Sequence, residues 1–120
     1  MALRGLRGAT LLSADDKAEM EGAVTELVSE MMARNGVDDT QVISIIFTAT
    51  PDIHSGFPAA AVRTLGFQDV PLLCAQELDI VGAVPLAIRV LMHADVPLER
   101  SEVQHVYLRG AEVMRQDLSR

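Results

Sequence analysis

Residues 80–92 read Ile-Val-Gly-Ala-Val-Pro-Leu-Ala-Ile-Arg-Val-Leu-Met, and Arg89 is the single polar side chain in that run. No other stretch constrains the chain as much. It is too short to cross a bilayer and carries a charge, so it belongs in a protein interior. Taking a guanidinium out of water costs several kcal/mol unless it is paired and hydrogen-bonded, so Arg89 requires an anionic partner. Two readings follow. Arg89 forms a structural ion pair with Glu77 or Asp79, or its planar fork of donors clamps a ligand carboxylate. The pattern over residues 81–93 is read as a helix.

The chain has 120 residues, 49% hydrophobic and 22% charged, which is enough for one domain, residues 1–120, with a real core. A net charge of −7 argues against nucleic acid or an anionic membrane as partner, and an aromatic content of 3% leaves few platforms for base stacking. Lys17 is the only lysine among ten basic residues, an arginine preference that suits carboxylate recognition and also follows from genome composition. One cysteine, Cys74, allows no internal disulfide. Together with an N-terminus lacking the apolar stretch of a secretory signal, it points to the cytoplasm. His54, His93 and His105 are scattered without ligand spacing, so neither a metal nor a cofactor is expected.

Residues 3–10 alternate as a strand that sends Arg4 and Arg7 to opposite faces, because they stand three apart. Ser13 followed by Asp16 marks a helix start. Met20, Ala23, Val24, Leu27, Val28 and Met31 then recur on one helical face, which ends near Asn35 and Gly36. Residues 42–49 are apolar and β-branched, a strand expected to be covered on both sides. Thr50-Pro51-Asp52 breaks it, Pro58 opens a short helix through Leu65, residues 70–77 form a further strand and residues 105–109 the last. Strands alternating with helices imply an α/β fold, an α+β sandwich with helices on one face of a mixed sheet.

Six fragments stand in order along this frame. They are Arg-Gly-Leu-Arg-Gly-Ala-Thr from Arg4, Ala-Thr-Pro-Asp-Ile-His from Ala49, Phe57-Pro58-Ala59 with Arg63, Val-Pro-Leu-Leu-Cys-Ala-Gln-Glu-Leu-Asp from Val70, Ile-Arg-Val-Leu-Met from Ile88 and His-Val-Tyr-Leu from His105. Together they closely resemble the monofunctional chorismate mutases of the trimeric α/β class. That resemblance implies a homotrimeric pseudo-α/β-barrel with a site in each cleft between subunits, converting chorismate, a small dianion of aromatic amino-acid biosynthesis, to prephenate. It assigns Phe57, Ala59 and Arg63 to one subunit, and Arg7, Leu72, Leu73, Cys74, Glu77, Arg89, Tyr107, Met114 and Arg115 to the next. Arg89 would serve the ether oxygen and a carboxylate, Arg7 and Tyr107 that carboxylate, and Glu77 with Cys74 the ring hydroxyl. Arg63 and Arg115 would attract the second carboxylate. A lysine common in the family is replaced by Ala60, and a chain stopping at Arg120 implies a short C-terminal lid.

Each residue also has a plainer role: Phe57 as a helix staple, Cys74 as a small buried side chain, Tyr107 as a strand tyrosine, Arg115 as a solvated one. Two other functions use the same residues, an imine-hydrolysing deaminase on a similar trimeric scaffold and a non-catalytic module binding a dicarboxylate. A nucleophilic Cys74 is not expected, since no histidine is near it in sequence and a strand turns Cys74 and Glu77 to opposite faces.

Overall fold

The computed structural model describes residues 2–119, and residues 116–119 by their backbone alone. Strand β1 (Ala2–Leu11) leads into helix α1 (Lys17–Asn35), then β2 (Val42–Ala49), helix α2 (Pro58–Val62), β3 (Leu72–Gln76), β4 (Ala87–Val96) and β5 (Val106–Leu108). A 3-10 segment, Ala111–Ser119, closes the described chain. The five strands form one mixed sheet in the order β3-β2-β4-β1-β5. β4 is antiparallel to β1 and β2, whereas β3 is parallel to β2 and β5 to β1. Both helices cover the same face. Among the described residues no helix is long and apolar enough to cross a membrane.

Local chemistry sets α1. Asp16 is its N-cap, accepting the Glu19 N–H at 2.9 Å, and Ser13 donates its main-chain N–H and hydroxyl to the Glu19 carboxylate at 2.6 and 2.9 Å. The helix thus starts three residues later than a Ser13 cap would place it. Gly36 ends it at φ 62°, a left-handed conformation that glycine adopts without strain. The predicted face, Met20 through Met31, is buried. Gly8 in β1 lies under this helix, where an added Cβ would run into Met31 and crowd Leu27.

The sequence-based helix over residues 81–93 is overturned. Gly82 takes φ 84° and Leu86 φ 51°, so with Pro85 between them the segment up to Leu86 is a turn-rich loop. From Ala87 the chain is the central strand β4. Ile88, Val90, Met92, Ala94 and Val96 are buried on the helix side, and Arg89, Leu91 and His93 alternate to the other. Apolar residues at both parities concealed the two-residue period; pairing with β1 and β2 on both sides supplies what local sequence lacks. The expectation that β2 is covered on both sides is also corrected. Ile45 and Phe47 are fully buried, but Ile43 is exposed where a bulge interrupts the register between Val42 and Ser44. Within one chain the second face of the sheet is open.

Candidate active site

The open face holds the site. Strand register places Thr48 of β2, Arg89 of β4, Ala9 of β1 and Tyr107 of β5 in one row across the sheet. Directly opposed residues share a face. Small Ala9 therefore leaves space between the Arg89 and Tyr107 side chains, two strands apart. Arg7 lies on the same face, since it stands two residues from Ala9, while Arg4 points to the helix side and donates its Nε to the Leu98 carbonyl at 2.8 Å.

Glu77 completes the floor. Its N–H donates to the Ala49 carbonyl at 2.9 Å, which fixes the residue just past the end of β3. Arg89 then reaches it bidentately, Nε to Oε2 at 2.8 Å and Nη2 to Oε1 at 2.6 Å, and the Thr48 hydroxyl donates to Oε2 as well. The bond from Arg89 holds the Glu77 carboxyl below its ordinary pKa; burial works the other way, and the Thr48 bond adds to the lowering. The Glu77 side chain is 12% exposed and that of Arg89 is 41% exposed. Arg89 is thus not buried as expected, because it lies on the open face of a strand. Of the two anions offered by sequence, the ion-pair partner is Glu77.

Above this pair is a cleft of about 790 Å³, within the range of small-molecule sites. Arg7, Thr48, Glu77, Arg89, Tyr107 and Met114 line it, with the loop at Leu78, Ile80 and Val84 as one wall. Arg115 stands at its edge, its guanidinium carbon 5.9 Å from the centre of the Tyr107 ring. The loop is tied down at its far end. Thr50 and Ala87 exchange bonds at 3.0 Å, and Asp52 accepts both the Leu86 N–H at 3.0 Å and the Thr50 hydroxyl at 2.5 Å. This is the physical content of Thr-Pro-Asp after β2, which from sequence reads only as a strand break.

The other expected residues do not line this cleft. Phe57, 74% exposed, opens α2, and Ala59 and Arg63 follow it; Arg63 donates Nη1 to the Phe67 carbonyl at 2.6 Å. Leu72 and Cys74 face the helix layer from the edge strand β3 and pack on the core, and Leu73 points the other way, 60% exposed. Cys74 and Glu77 accordingly lie on opposite sides of the sheet, as their spacing requires. Grouping Leu72, Leu73 and Cys74 with Arg7 around one chain's cleft is therefore not what this geometry gives. Two contributors were missed from sequence. Thr48 is one of two hydroxyls in an apolar strand, with Ser44, and only its register opposite Arg89 and its bond to Glu77 single it out; His105 forms a contact described below.

A paired fork and carboxylate beneath additional arginines can bind and polarise a small anion, and the thiol of the chain points elsewhere. The match to known proteins is equally direct. The family model for chorismate mutase type I covers residues 3–118. The chorismate mutase AroH of Bacillus subtilis (strain 168) is 38% identical over 120 residues, spanning 99% of this chain and 94% of that protein. The AroH of Thermus thermophilus is 41% identical over 119 residues, with 97% and 96% covered. A solved chorismate mutase from Clostridium thermocellum superposes with a TM-score of 0.90 at 38% identity, over 92% of this chain and 98% of that one. This chain belongs to the type I chorismate mutases.

Proposed function

We propose that the chain rearranges chorismate to prephenate in the cleft around Arg89, and that a neighbouring copy in a homotrimer completes each cleft. The observation that carries this site is the two-pronged bond from Arg89 to Glu77 at the cleft floor. The reaction breaks an ether C–O bond and forms a C–C bond in one pericyclic step, with no proton to transfer and no covalent intermediate. The protein has to hold the substrate folded and place a donor where negative charge grows. Arg89 supplies that donor at the ether oxygen and reaches the side-chain carboxylate, which Arg7 and Tyr107 also hold. Glu77, kept ionised by its partners, accepts from the ring hydroxyl beside the ring that becomes electron-poor. Met114 closes on the substrate's apolar side. Arg115, next to Tyr107, draws the second carboxylate to the mouth. In a protein of net charge −7, such a cluster gives a dianion one favourable place to go.

The open sheet face favours the trimer. Leu3, Ile43, Leu73 and Leu91 are exposed across it, and Leu78, Ile80 and Val81 are exposed on the loop, an apolar surface that calls for a partner. Phe57, Ala59 and Arg63, with Leu72, Leu73 and Cys74 of the β3 edge, then act from the neighbouring subunit. An enzyme of amino-acid biosynthesis with one free thiol fits the cytoplasm. Loss of chorismate with prephenate as product tests the reaction. For the shared site, Arg89→Ala and Arg63→Ala proteins are unfolded together and refolded. Mixed trimers contain some clefts with neither substitution, so activity should reappear. Failure of mixed material to exceed either parent would sink the shared cleft.

A further inference from the structure

The parallel ladder between β1 and β5 begins where Gly8 stands opposite Val106. One residue before that, a side chain takes over. The Arg7 main-chain N–H donates to His105 Nδ1 at 2.9 Å. An N–H donor requires a lone pair on that nitrogen, so the ring is neutral and carries its proton on Nε2. Burial and the charge of Arg7 both favour this form, holding the ring below its ordinary pKa of 6.5. On the other side of His105 the chain is anchored to α1. Asn35 Nδ2 donates to the Gln104 carbonyl, and the Gln104 N–H donates to Asn35 Oδ1, both at 2.8 Å. A third bond, from Asn35 Nδ2 to the Met31 carbonyl at 2.8 Å, satisfies the buried amide.

His105 therefore sits between a fixed point on the helix and the residue from which Arg7 projects, and Tyr107 follows two positions later opposite Ala9. We propose that His105 is a positioning residue of the active site, whose ring acceptor sets the main-chain position of Arg7 and, through β5, the separation of Arg7 from Tyr107. It is not among the residues lining the cleft, so it acts through its neighbours. The proposal rests on Arg7 and Tyr107 holding a substrate carboxylate. A purely structural strand link would lower stability without favouring KM over kcat, and its effect would not depend on the Arg7 side chain.

Four variants of the intact protein separate these cases: His105→Leu, His105→Asn, Arg7→Ala and the Arg7→Ala/His105→Leu pair. Loss of the acceptor in His105→Leu should raise the KM for chorismate roughly three- to tenfold, the factor expected of one net hydrogen bond, with a smaller change in kcat. His105→Asn places an acceptor oxygen near the former Nδ1 and should recover KM. With Arg7 already alanine, His105→Leu should add nothing further to KM. The Arg7 amide chemical shift reports whether the bond is present. His105→Ala removes the acceptor without bulk should leucine prevent folding. An unchanged KM in folded acceptor-less variants would overturn the proposal, as would an undiminished effect in the Arg7→Ala background or an asparagine no better than leucine. If Arg7→Ala itself leaves KM unchanged, the role of Arg7 fails and the proposal with it, a result distinct from failure at His105 alone.

Discussion

On the helix-covered face of the sheet, Leu6, Ile45, Phe47, Ile88 and Met92 are wholly buried, whereas on the other face Arg7, Thr48, Arg89 and Leu91 are reachable from a cleft. The same strands build both faces. In β4, Ile88 and Val90 belong to the core, and Arg89 between them faces the cleft, bonded to Glu77. Two-residue alternation thus lets a central strand, held by neighbours on both sides, serve as a rigid mount for a polar group. The consequence is separability: substitutions at one parity should change stability, and those at the other should change rate.

The largest expected effect lies on the covered face. Leu27 of α1 is fully buried where the helix passes over Gly8, and Leu27→Ala should cost about 2–5 kcal/mol in denaturant unfolding. Turnover per folded molecule should stay near the parent value. A specific loss of kcat without loss of stability would break the division between the faces. Next comes Arg89→Lys, which keeps the charge but loses the fork that holds Glu77. Loss of the transition-state donor proposed for Arg89 should cost about 10²- to 10³-fold in kcat. Melting should fall only modestly, by the part of the Glu77 pairing that lysine does not replace, because the helix-side neighbours in β4 remain; collapse of the fold would instead make Arg89 a structural ion pair.

Acid should act on the fold more gently. His105 and Glu77 both have pKa values depressed in the fold. As pH falls below 6.5 the unfolded His105 ring takes up a proton before the folded one, so stability declines from there through the lower folded pKa. Glu77 stabilises the fold above 4.5, and that contribution is lost as pH falls through its own depressed value. Melting temperature should therefore fall in two stages on acidification, and His105→Asn should remove the first. The smallest effect is at Cys74, on the helix side of β3. Cys74→Ser should keep most of kcat, cost no more than about 1 kcal/mol, and leave mass spectra of the working enzyme free of a substrate adduct. A substrate-derived mass on that thiol would require a covalent route.

How much of this was legible depended on the distance over which each feature is decided. Asp16, Gly36 and Pro58 act within a turn of themselves, and the elements they bound could be read, though the cap of α1 lay three residues beyond Ser13. β4 could not be read, because apolar residues at both parities resemble a buried helix until β1 and β2 are placed beside them. Glu77 was nameable as a partner for Arg89, yet choosing it over Asp79 required the bond that fixes Glu77 to Ala49. Thr48 and His105 depend on partners 29 and 98 positions away, beyond the reach of any local pattern. Neither the split of the expected site residues nor the open sheet face has a signal in one chain's order of residues. Both follow from which edge of the sheet each strand occupies.

The position of β4 also governs how the molecule comes into being. β1 and β2 are not neighbours in the sheet; β4 lies between them, pairing Ala2 with Val96 and Ala49 with Ile88. A chain emerging from the ribosome therefore carries two strands that cannot zip together, each with hydrogen-bonding groups facing the slot that a later segment must fill. Closing such long loops is slow, and unpaired strand edges invite association with other chains meanwhile. Arg89 arrives on the strand that closes the slot, so the step joining the two halves of the sheet is also the step that brings this cation to the cleft. A sheet without β4 then has no floor for the cleft, and the catalytic assay doubles as a probe of whether the two halves have joined.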